Sequence, residues 1–481
     1  MDKVFDVIII GGGIVGCAAA RSLSRYALDI LLLEKGSDVS VGATKANSGI
    51  LHAGYDCEPG TLKAELNKQG LRMYTRLVEE LNIPHRINGS LVVSTYAGGL
   101  SELQTLYNKG VSNGVTEMEI LTAEQARALE PNLHPTVNGA LRATSAGIIS
   151  PYEAAIAFAE NAAVNGVSFL LDTTVTGITS GDGGPDPGFT VSTSRGDYRT
   201  RAVINCAGTE SGNIANFLRG YIHVPPIVIH PQRGQYYLLD NTQRGLINHT
   251  VFQLPTHMGK GVLIAPTVDG NILLGPTAEA VEDPQATETT GDGLHEALTK
   301  VSLTLSHVPV HDRITAFAGI RVKHAGKDFI VEESPVNFFH AIGIDSPGLT
   351  AAPAIAARLA DMALARLQPA EKTDFVKERP AITRFRDLSP SEQNKLIAAN
   401  PAYGQVVCRC ETITQAEIMD AMRRPIPAKN LDALKRRTRA QMGRCQGGFC
   451  TLKLVELLSR ELGIPESQVT KNGPGSEVVG K

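Results

Sequence analysis

Apolar positions along the chain follow three spacings. Val7 to Ile10 is an unbroken β-branched run, as expected of a strand buried on both faces, and Ile30 to Leu33 and Ala202 to Asn205 repeat the pattern. Helical spacing marks Ala18 to Leu23, residues 62–82 (Leu66, Leu71, Tyr74, Leu77, Val78, Leu81), Pro151 to Val164 and Thr451 to Leu462. A short helix over 122–131 is opened by Thr122 and closed near Pro131. Ser90 to Thr95, Ser168 to Leu171 and Thr174 to Ile178 read as strands, and "SGDGGPDPG" at 180–188 as a hairpin tip. From about 210 to 320 short alternating strands are separated by Gly and Pro turns, as in "GKGVLIAPTVDGNILLGPT". That pattern predicts a mostly antiparallel sheet. Residues 339–364 return to strand, small-residue loop and helix.

The first strand runs directly into Gly11-x-Gly13-x-x-Gly16, and the second ends at Glu34. Strand, glycine turn, helix, strand and acid within about thirty residues predict a dinucleotide site. Gly11 permits the tight turn, Gly13 lets backbone approach a pyrophosphate, and Gly16 lets helix and strand pack closely. The helix start at Ile14 and Val15 offers amides to phosphate. Glu34, followed by Lys35, is placed for ribose hydroxyls. Glu34 alone leaves FAD and NAD open. The glycine-rich "GATKANSGILHAGYD" at 42–56 follows where a nicotinamide domain would proceed to its next crossover helix, and runs along the cofactor as in flavoproteins, while the spacing itself implies only a dinucleotide. "NCAGTESGNIANFL" at 205–218 is a second strand ending in glycine beside a helix start. It would return the chain to the cofactor sheet after an excursion.

Length and composition narrow the class. A chain of 481 residues, 42% hydrophobic and 20% charged, predicts two or three domains of ordinary soluble type. A net charge of -3 gives no reason to expect nucleic acid or an anionic membrane. Asp2, Asp6 and the glycine cluster count against a leader peptide, and no run reaches the roughly 18 apolar residues of a spanning helix. A cytoplasmic protein is expected.

Of seven cysteines, four crowd the C-terminus in "CRCETIT" and "CQGGFC". Cys17, Cys57 and Cys206 read as packing residues. The pairs Cys408/Cys410 and Cys445/Cys450 suit zinc or a [2Fe-2S] cluster, although zinc knuckles usually space each pair by two residues. Thr414 and Glu417 form a capping-box signature. Between the pairs, "RRPIPAKNLDALKRRTRAQMGR" is strongly basic, either a solvated helix face or a docking patch for an acidic redox partner. It lacks the aromatics that base stacking would need. Pro369 to Pro380 reads as a linker.

"NSGILHAGYD", "INCAGTES", "AGIRV" and "GIDSPGLTAAPAIA", in that order behind the glycine crossover, resemble the FAD-dependent D-amino-acid-oxidase-like superfamily over about residues 5–365. Within it the chain most resembles the flavin-dependent glycerol-3-phosphate dehydrogenases and oxidases, and next the L-2-hydroxyglutarate oxidoreductases. The cysteine spacing resembles the bacterioferritin-associated-ferredoxin type of [2Fe-2S] domain. The resemblance implies an α/β fold: a Rossmann-like FAD-binding domain (1–85, 146–212, 323–366) with an inserted antiparallel β-rich substrate domain (86–145, 213–322). A linker (367–402) and a small helical iron–sulfur domain (403–481) follow.

It also implies the cofactors FAD and [2Fe-2S]. FAD contacts fall at Gly11, Gly13, Ile14, Val15, Gly16, Glu34, Lys35, Thr44, Asn47, Ser48, Gly49, Val175, Ala207, Gly208, Gly319, Gly348, Leu349 and Thr350. Cys408, Cys410, Cys445 and Cys450 hold the cluster. His52 occupies the position of the active-site histidine, and an imidazole of ordinary pKa about 6.5 can take an alcohol proton while hydride goes to flavin. Arg321 matches the arginine that holds the substrate anion, its planar fork suiting phosphate or carboxylate. Lys260 matches a second phosphate-binding cation, with Ser48, Ser346 and Thr350 around the substrate. The direction of Lys323 and His324 is open.

The expected activity is FAD-dependent dehydrogenation of glycerol 3-phosphate, with electrons leaving through the cluster. An L-2-hydroxy acid, or an amino acid, is the next substrate class. A pure electron-transfer or iron-handling module is the reading from another class, and Ser48, His52 and Arg321 argue against it. Expected partners are the small anionic substrate and an acidic redox protein or membrane-anchoring subunit, which would make the chain peripheral to a membrane. Nucleic acid is not expected.

Overall fold

A computed structural model describes residues 3–181, 188–218, 226–254 and 261–480. An eight-stranded sheet forms its first layer. Val4–Ile10 lies in its centre, parallel to Ile30–Leu33 on one side and Gly196–Asn205 on the other, with Val7 opposite both Ile30 and Ala202. Phe338–Ile342 adds in parallel beside Gly196–Asn205. The unbroken apolar run has a direct cause. Val7 and Ile9 pack into one core with helices Ile14–Leu23, Pro151–Val164 and Gly348–Leu367, while Ile8 and Ile10 face a second core with Ile178, Phe189 and Val191. Neither face meets water, so neither tolerates a polar position.

A nine-stranded sheet draws its strands from two separated stretches. Ser90–Ser94, Met118–Thr122 and Gly139–Ala143 come from the first, and the strands between Ile229 and His324 from the second. The stretches join where Thr250–Gln253 runs parallel to Ser90–Ser94; the other pairings in this sheet are antiparallel. Its central strands are buried on both faces: Leu91, Val93, Val251, Ile264 and Leu274 face one core, and Val92, Leu263, Ala265 and Leu273 face others.

The C-terminal unit is a short hairpin, Val406–Cys408 with Ile413–Thr414, and helices Gln415–Arg423, Leu431–Thr438 and Thr451–Leu462. The Thr414/Glu417 capping box forms as the sequence predicts. Its core joins Ile418, Leu434, Leu454 and Leu458 to the sulfur-bearing Cys408 and Cys450.

Two expectations need correction. The stretch expected to be a linker is fastened along its length: Val376 N–H donates to Asn165 Oδ1 at 2.8 Å, Arg379 Nε pairs with Glu160 at 2.6 Å, and Pro390–Ala399 is a capped helix. Most of the basic stretch is neither a solvated face nor an open docking patch, and of its basic residues only Arg423, Lys429 and Arg444 stay exposed. Arg436 and Arg437 are buried against Asp38, Arg439 against Asp269 and Glu411, and Arg424 against Glu160. Its arginines bind the C-terminal unit to acids of the first two layers, at separations no local pattern reveals. Among the described residues, no helix is long and apolar enough to cross a membrane.

Candidate functional site

The glycine crossover builds one end of a cavity of about 900 Å³. Gly11 has φ +107°, and a methyl group there would overlap the Cys206 carbonyl. A methyl on Gly16 would overlap the carbonyl of Gly11, so this glycine lies beneath the cavity and lets helix meet strand, as the third glycine of a dinucleotide turn should. Helix Ile14–Leu23 starts at Gly13, which offers no side-chain cap, so its positive end stays turned to the cavity. Glu34 is buried with one oxygen accepting Gly12 N–H at 2.6 Å and the other Gly36 N–H at 2.7 Å. Burial pushes its carboxyl up and the two amides pull it partly back. Carboxylate oxygens carry further lone pairs, so Glu34 can still accept from ribose. Lys35 reaches Glu210 across the rim at 3.1 Å.

The loop after Glu34 is folded by its own side chains. Thr44 Oγ1 accepts Ile14 N–H at 3.0 Å, and Asn47 Oδ1 accepts Gly49 N–H at 2.8 Å. This brings Ser48 and His52 to the cavity wall. Ser48 Oγ lies 3.2 Å from the Tyr236 hydroxyl, and His52 Nε2 lies 3.4 Å from Ser346 Oγ. The His52 backbone is held at both ends, its N–H by Thr350 Oγ1 at 2.9 Å and its carbonyl by Asn67 Nδ2 at 3.1 Å. Arg321 enters from the nine-stranded sheet, opposite Gln232, with Nη1 donating to the Thr277 carbonyl at 3.1 Å.

One cavity therefore gathers residues from both ends of the sequence reading. Gly11, Gly13, Ile14, Val15, Glu34, Lys35, Thr44, Asn47, Ser48, Gly49, His52, Val175, Ala207, Gly208, Gly319, Arg321, Ser346, Gly348 and Leu349 line it. Gly16 and Thr350 do not line it. Thr350 is fully buried, and its hydroxyl also donates to the Ile50 carbonyl at 3.2 Å. It sits in the first turn of helix Gly348–Leu367 facing the strand beneath, which turns it away from any substrate. Lys260 falls outside the described residues. Lys323 and His324 do not line the cavity; His324 Nε2 lies 2.6 Å from the Asp328 carbonyl.

Sequence reading missed Tyr236 and Phe252. The Phe252 ring lies 5.8 Å from the His52 ring, and Tyr236 stacks on Phe317 at 4.8 Å. Both sit on alternating strands where an aromatic residue reads as core. Burial pushes the Tyr236 phenol up, keeping it a neutral donor beside Arg321.

The volume, the helix N-terminus, the glycine turn and the acid fit an extended flavin dinucleotide. At the C-terminus the thiols form two interacting pairs, Cys408 with Cys450 and Cys410 with Cys445. The first pair is buried and the second partly exposed. Among the described residues no three candidate ligands converge on a single ion position. Two pairs of thiolates match the needs of two irons better than the single tetrahedral point zinc requires.

Comparison with known proteins agrees with both sites. The family described as FAD dependent oxidoreductase matches residues 6–362, and the BFD-like [2Fe-2S] binding domain matches residues 406–460. A glycerol 3-phosphate dehydrogenase of Caloramator mitchellensis is 42% identical over 479 residues, covering 99% of this chain and 98% of that protein. The human mitochondrial L-2-hydroxyglutarate dehydrogenase is 34% identical over 286 residues, 57% of this chain and 61% of its own. Among solved structures, the dithionite-reduced L-alpha-glycerophosphate oxidase of Mycoplasma pneumoniae with FAD bound superimposes with a TM-score of 0.71 at 29% identity. It covers 78% of this chain and 98% of its own. With the glycine crossover, the cavity and the paired thiols in place, the chain belongs to the FAD dependent oxidoreductases, an enzyme whose cofactors are FAD and the [2Fe-2S] cluster of its C-terminal domain.

Proposed function

We propose that this enzyme oxidises glycerol 3-phosphate to dihydroxyacetone phosphate and passes the electrons out through its cluster. The observation that carries the reading is the meeting of His52 and Arg321 on one flavin-sized cavity. The full-length similarity to a glycerol 3-phosphate dehydrogenase supports the choice of substrate. FAD held along the glycine turn, Glu34 and the 42–49 loop supplies the two-electron acceptor for the carbinol hydrogen.

The protein does the rest. Arg321 binds the phosphate with its planar fork, held in line by the Thr277 carbonyl. Lys260 is the second phosphate cation of this reading. His52 takes the hydroxyl proton at Nε2, and Ser346 orients that nitrogen. Ser48 and Tyr236, hydrogen-bonded to each other, position the substrate hydroxyls beside Arg321. Thr350 acts through the backbone of His52 as a positioning residue. In this reading the parallel sheet and its helices (1–85, 146–212, 323–366) form the FAD domain, and 86–145 with 213–322 the substrate domain.

An L-2-hydroxy acid is the second reading, because the chain is 34% identical to an L-2-hydroxyglutarate dehydrogenase over 286 residues and Arg321 suits a carboxylate equally. Anaerobic flavin bleaching decides between them. Glycerol 3-phosphate should reduce the flavin far faster than L-2-hydroxyglutarate or glycerol; faster bleaching by the diacid overturns the first reading.

A further inference from the structure

Arg424, Arg436, Arg437 and Arg439 are consumed in buried ion pairs, so of the basic residues in the 423–444 stretch only the exposed ones are open to a redox partner. The surface around the cluster thiols is built unlike the rest of the C-terminal unit. Cys408 and Cys450 are buried, whereas Cys410 and Cys445 are partly exposed, so the cluster site has an inner and an outer side. On the outer side Phe449 is 85% exposed and Leu452 78% exposed, the most exposed large apolar residues described. They stand three positions apart on either side of Cys450, at the start of helix Thr451–Leu462. Phe449 directly precedes the N-cap Cys450 and Leu452 is the second residue of the helix, so both flank the same cluster thiol. Isolated exposed apolar residues are ordinary; two together at a thiol site are not.

Charge is sorted around this patch. Arg409 lies between Cys408 and Cys410, is exposed, and makes no ion pair with a described residue. Arg444, beside Cys445, is 63% exposed while its partner Asp240 is nearly enclosed. The acid nearest in sequence, Glu411, is turned inward and held by Arg386 and Arg439. Lys453 and Glu456 offset each other on the next turn. An apolar centre rimmed by cations suits a negatively charged protein. Rim charges speed encounter, and the aromatic anchor supplies contact in a small transient interface.

We propose that Phe449, Leu452, Arg409 and Arg444 form the docking face for a small acidic one-electron carrier protein. This rests on the reading of the cluster as electron exit. At each encounter the carrier gains one electron and the enzyme loses one. Two encounters discharge the pair removed from one alcohol, and no bond is made or broken at this face.

The test uses the holoenzyme with the acidic cytochrome b5 haem domain and the basic cytochrome c as probes. Calorimetric titration of oxidised with oxidised protein measures docking without electron flow, and stopped-flow mixing after dithionite reduction measures transfer without substrate. A failed substrate assignment therefore leaves both measurements readable. Cytochrome b5 should bind and be reduced, more weakly and slowly as salt rises. F449S, L452S and R409E should each weaken binding and slow transfer by about tenfold or more, or about 1.4 kcal/mol. Cluster absorbance and flavin bleaching should stay within about twofold of wild type. Absence of cytochrome b5 binding by wild type, variants equal to wild type, preference for cytochrome c, or a change of oligomeric state in F449S each overturns the proposal.

Discussion

Arg437 grips Asp38 with both terminal guanidinium nitrogens, at 2.7 and 2.8 Å, across 399 positions of sequence. Arg436 adds a third bond to the same carboxylate at 2.7 Å. Asp38 belongs to the loop that follows Glu34, so the iron–sulfur unit is fastened to the wall of the flavin site. Removing one partner of such a buried pair leaves an uncompensated charge and typically costs about 3 to 5 kcal/mol. R437A should therefore lower the denaturant midpoint and expose the 403–480 unit to limited proteolysis. Proteolysis unchanged from wild type would mean that other contacts carry the docking.

The same carboxylates set the acid limit of the enzyme. Burial alone would push Asp38, Asp269 and Glu160 up, but their arginines more than offset it and hold all three below their ordinary values of 3.8 and 4.5. A group with a depressed native pKa contributes its stability fully above the unfolded value and loses it as pH falls through the native value. Thermal stability should thus change little from this source at neutral pH and fall steeply below about pH 4. D38N should be less stable near neutrality and lose less on acidification, as calorimetric melts across that range would record.

His52 and Thr350 should separate by size of effect. H52A should slow flavin reduction by about 10² to 10⁴, the range for a positioned acid–base group, with flavin content retained. Thr350 acts at one remove, through a single hydrogen bond to the His52 amide. T350V should cost about 0.5 to 1.5 kcal/mol, a several-fold loss in the bleaching rate, and T350S should recover it. A T350V enzyme as impaired as H52A would place Thr350 in contact with the reacting groups.

Arg321 and Lys260 report on the substrate. Losing one partner of a desolvated charge pair costs about 2 to 5 kcal/mol, so R321A should nearly abolish turnover of glycerol 3-phosphate. K260A should raise the Michaelis constant by a smaller factor. Uncharged glycerol should be poor for every variant, since it has no phosphate with which to orient itself. Equal loss with glycerol and glycerol 3-phosphate in R321A would remove the anion role.

C445S breaks the outer thiol pair. Iron, acid-labile sulfide and the visible absorption of the cluster should be lost, while flavin bleaching by substrate persists. Stoichiometric zinc without sulfide in the wild-type protein would contradict the cluster.

What could be read from sequence was local or periodic. Val7 to Ile10, the glycine turn with Glu34, helix Pro151–Val164, and the Thr414/Glu417 box each carry their signal within a few residues. Helices Gly99–Ser112 and Gly291–Val301 were missed because each opens on glycine and buries few side chains. The arginines from 424 to 439 looked like surface charge because their acids lie between 28 and 399 positions away. Thr350 was misplaced by one helical direction. The family resemblance located the loop near the flavin, but only the packing of that first turn on Ile50 and His52 shows which way the hydroxyl points.

The interleaved strand order constrains synthesis as well as structure. Val4–Ile10 leaves the ribosome early, yet its partner Gly196–Asn205 follows almost two hundred residues later and Phe338–Ile342 later still. At ordinary elongation rates the first strand waits on the order of 10 to 40 s before its second neighbour exists. Through that interval both apolar faces lack part of their cover, and such long-range parallel pairing is slow in itself. A chain cut before Phe338 leaves Val203 to Asn205 with an open parallel edge. Fragments ending there should aggregate rather than bind flavin, so no N-terminal piece that stops short of Phe338–Ile342 can serve as the flavin-binding unit.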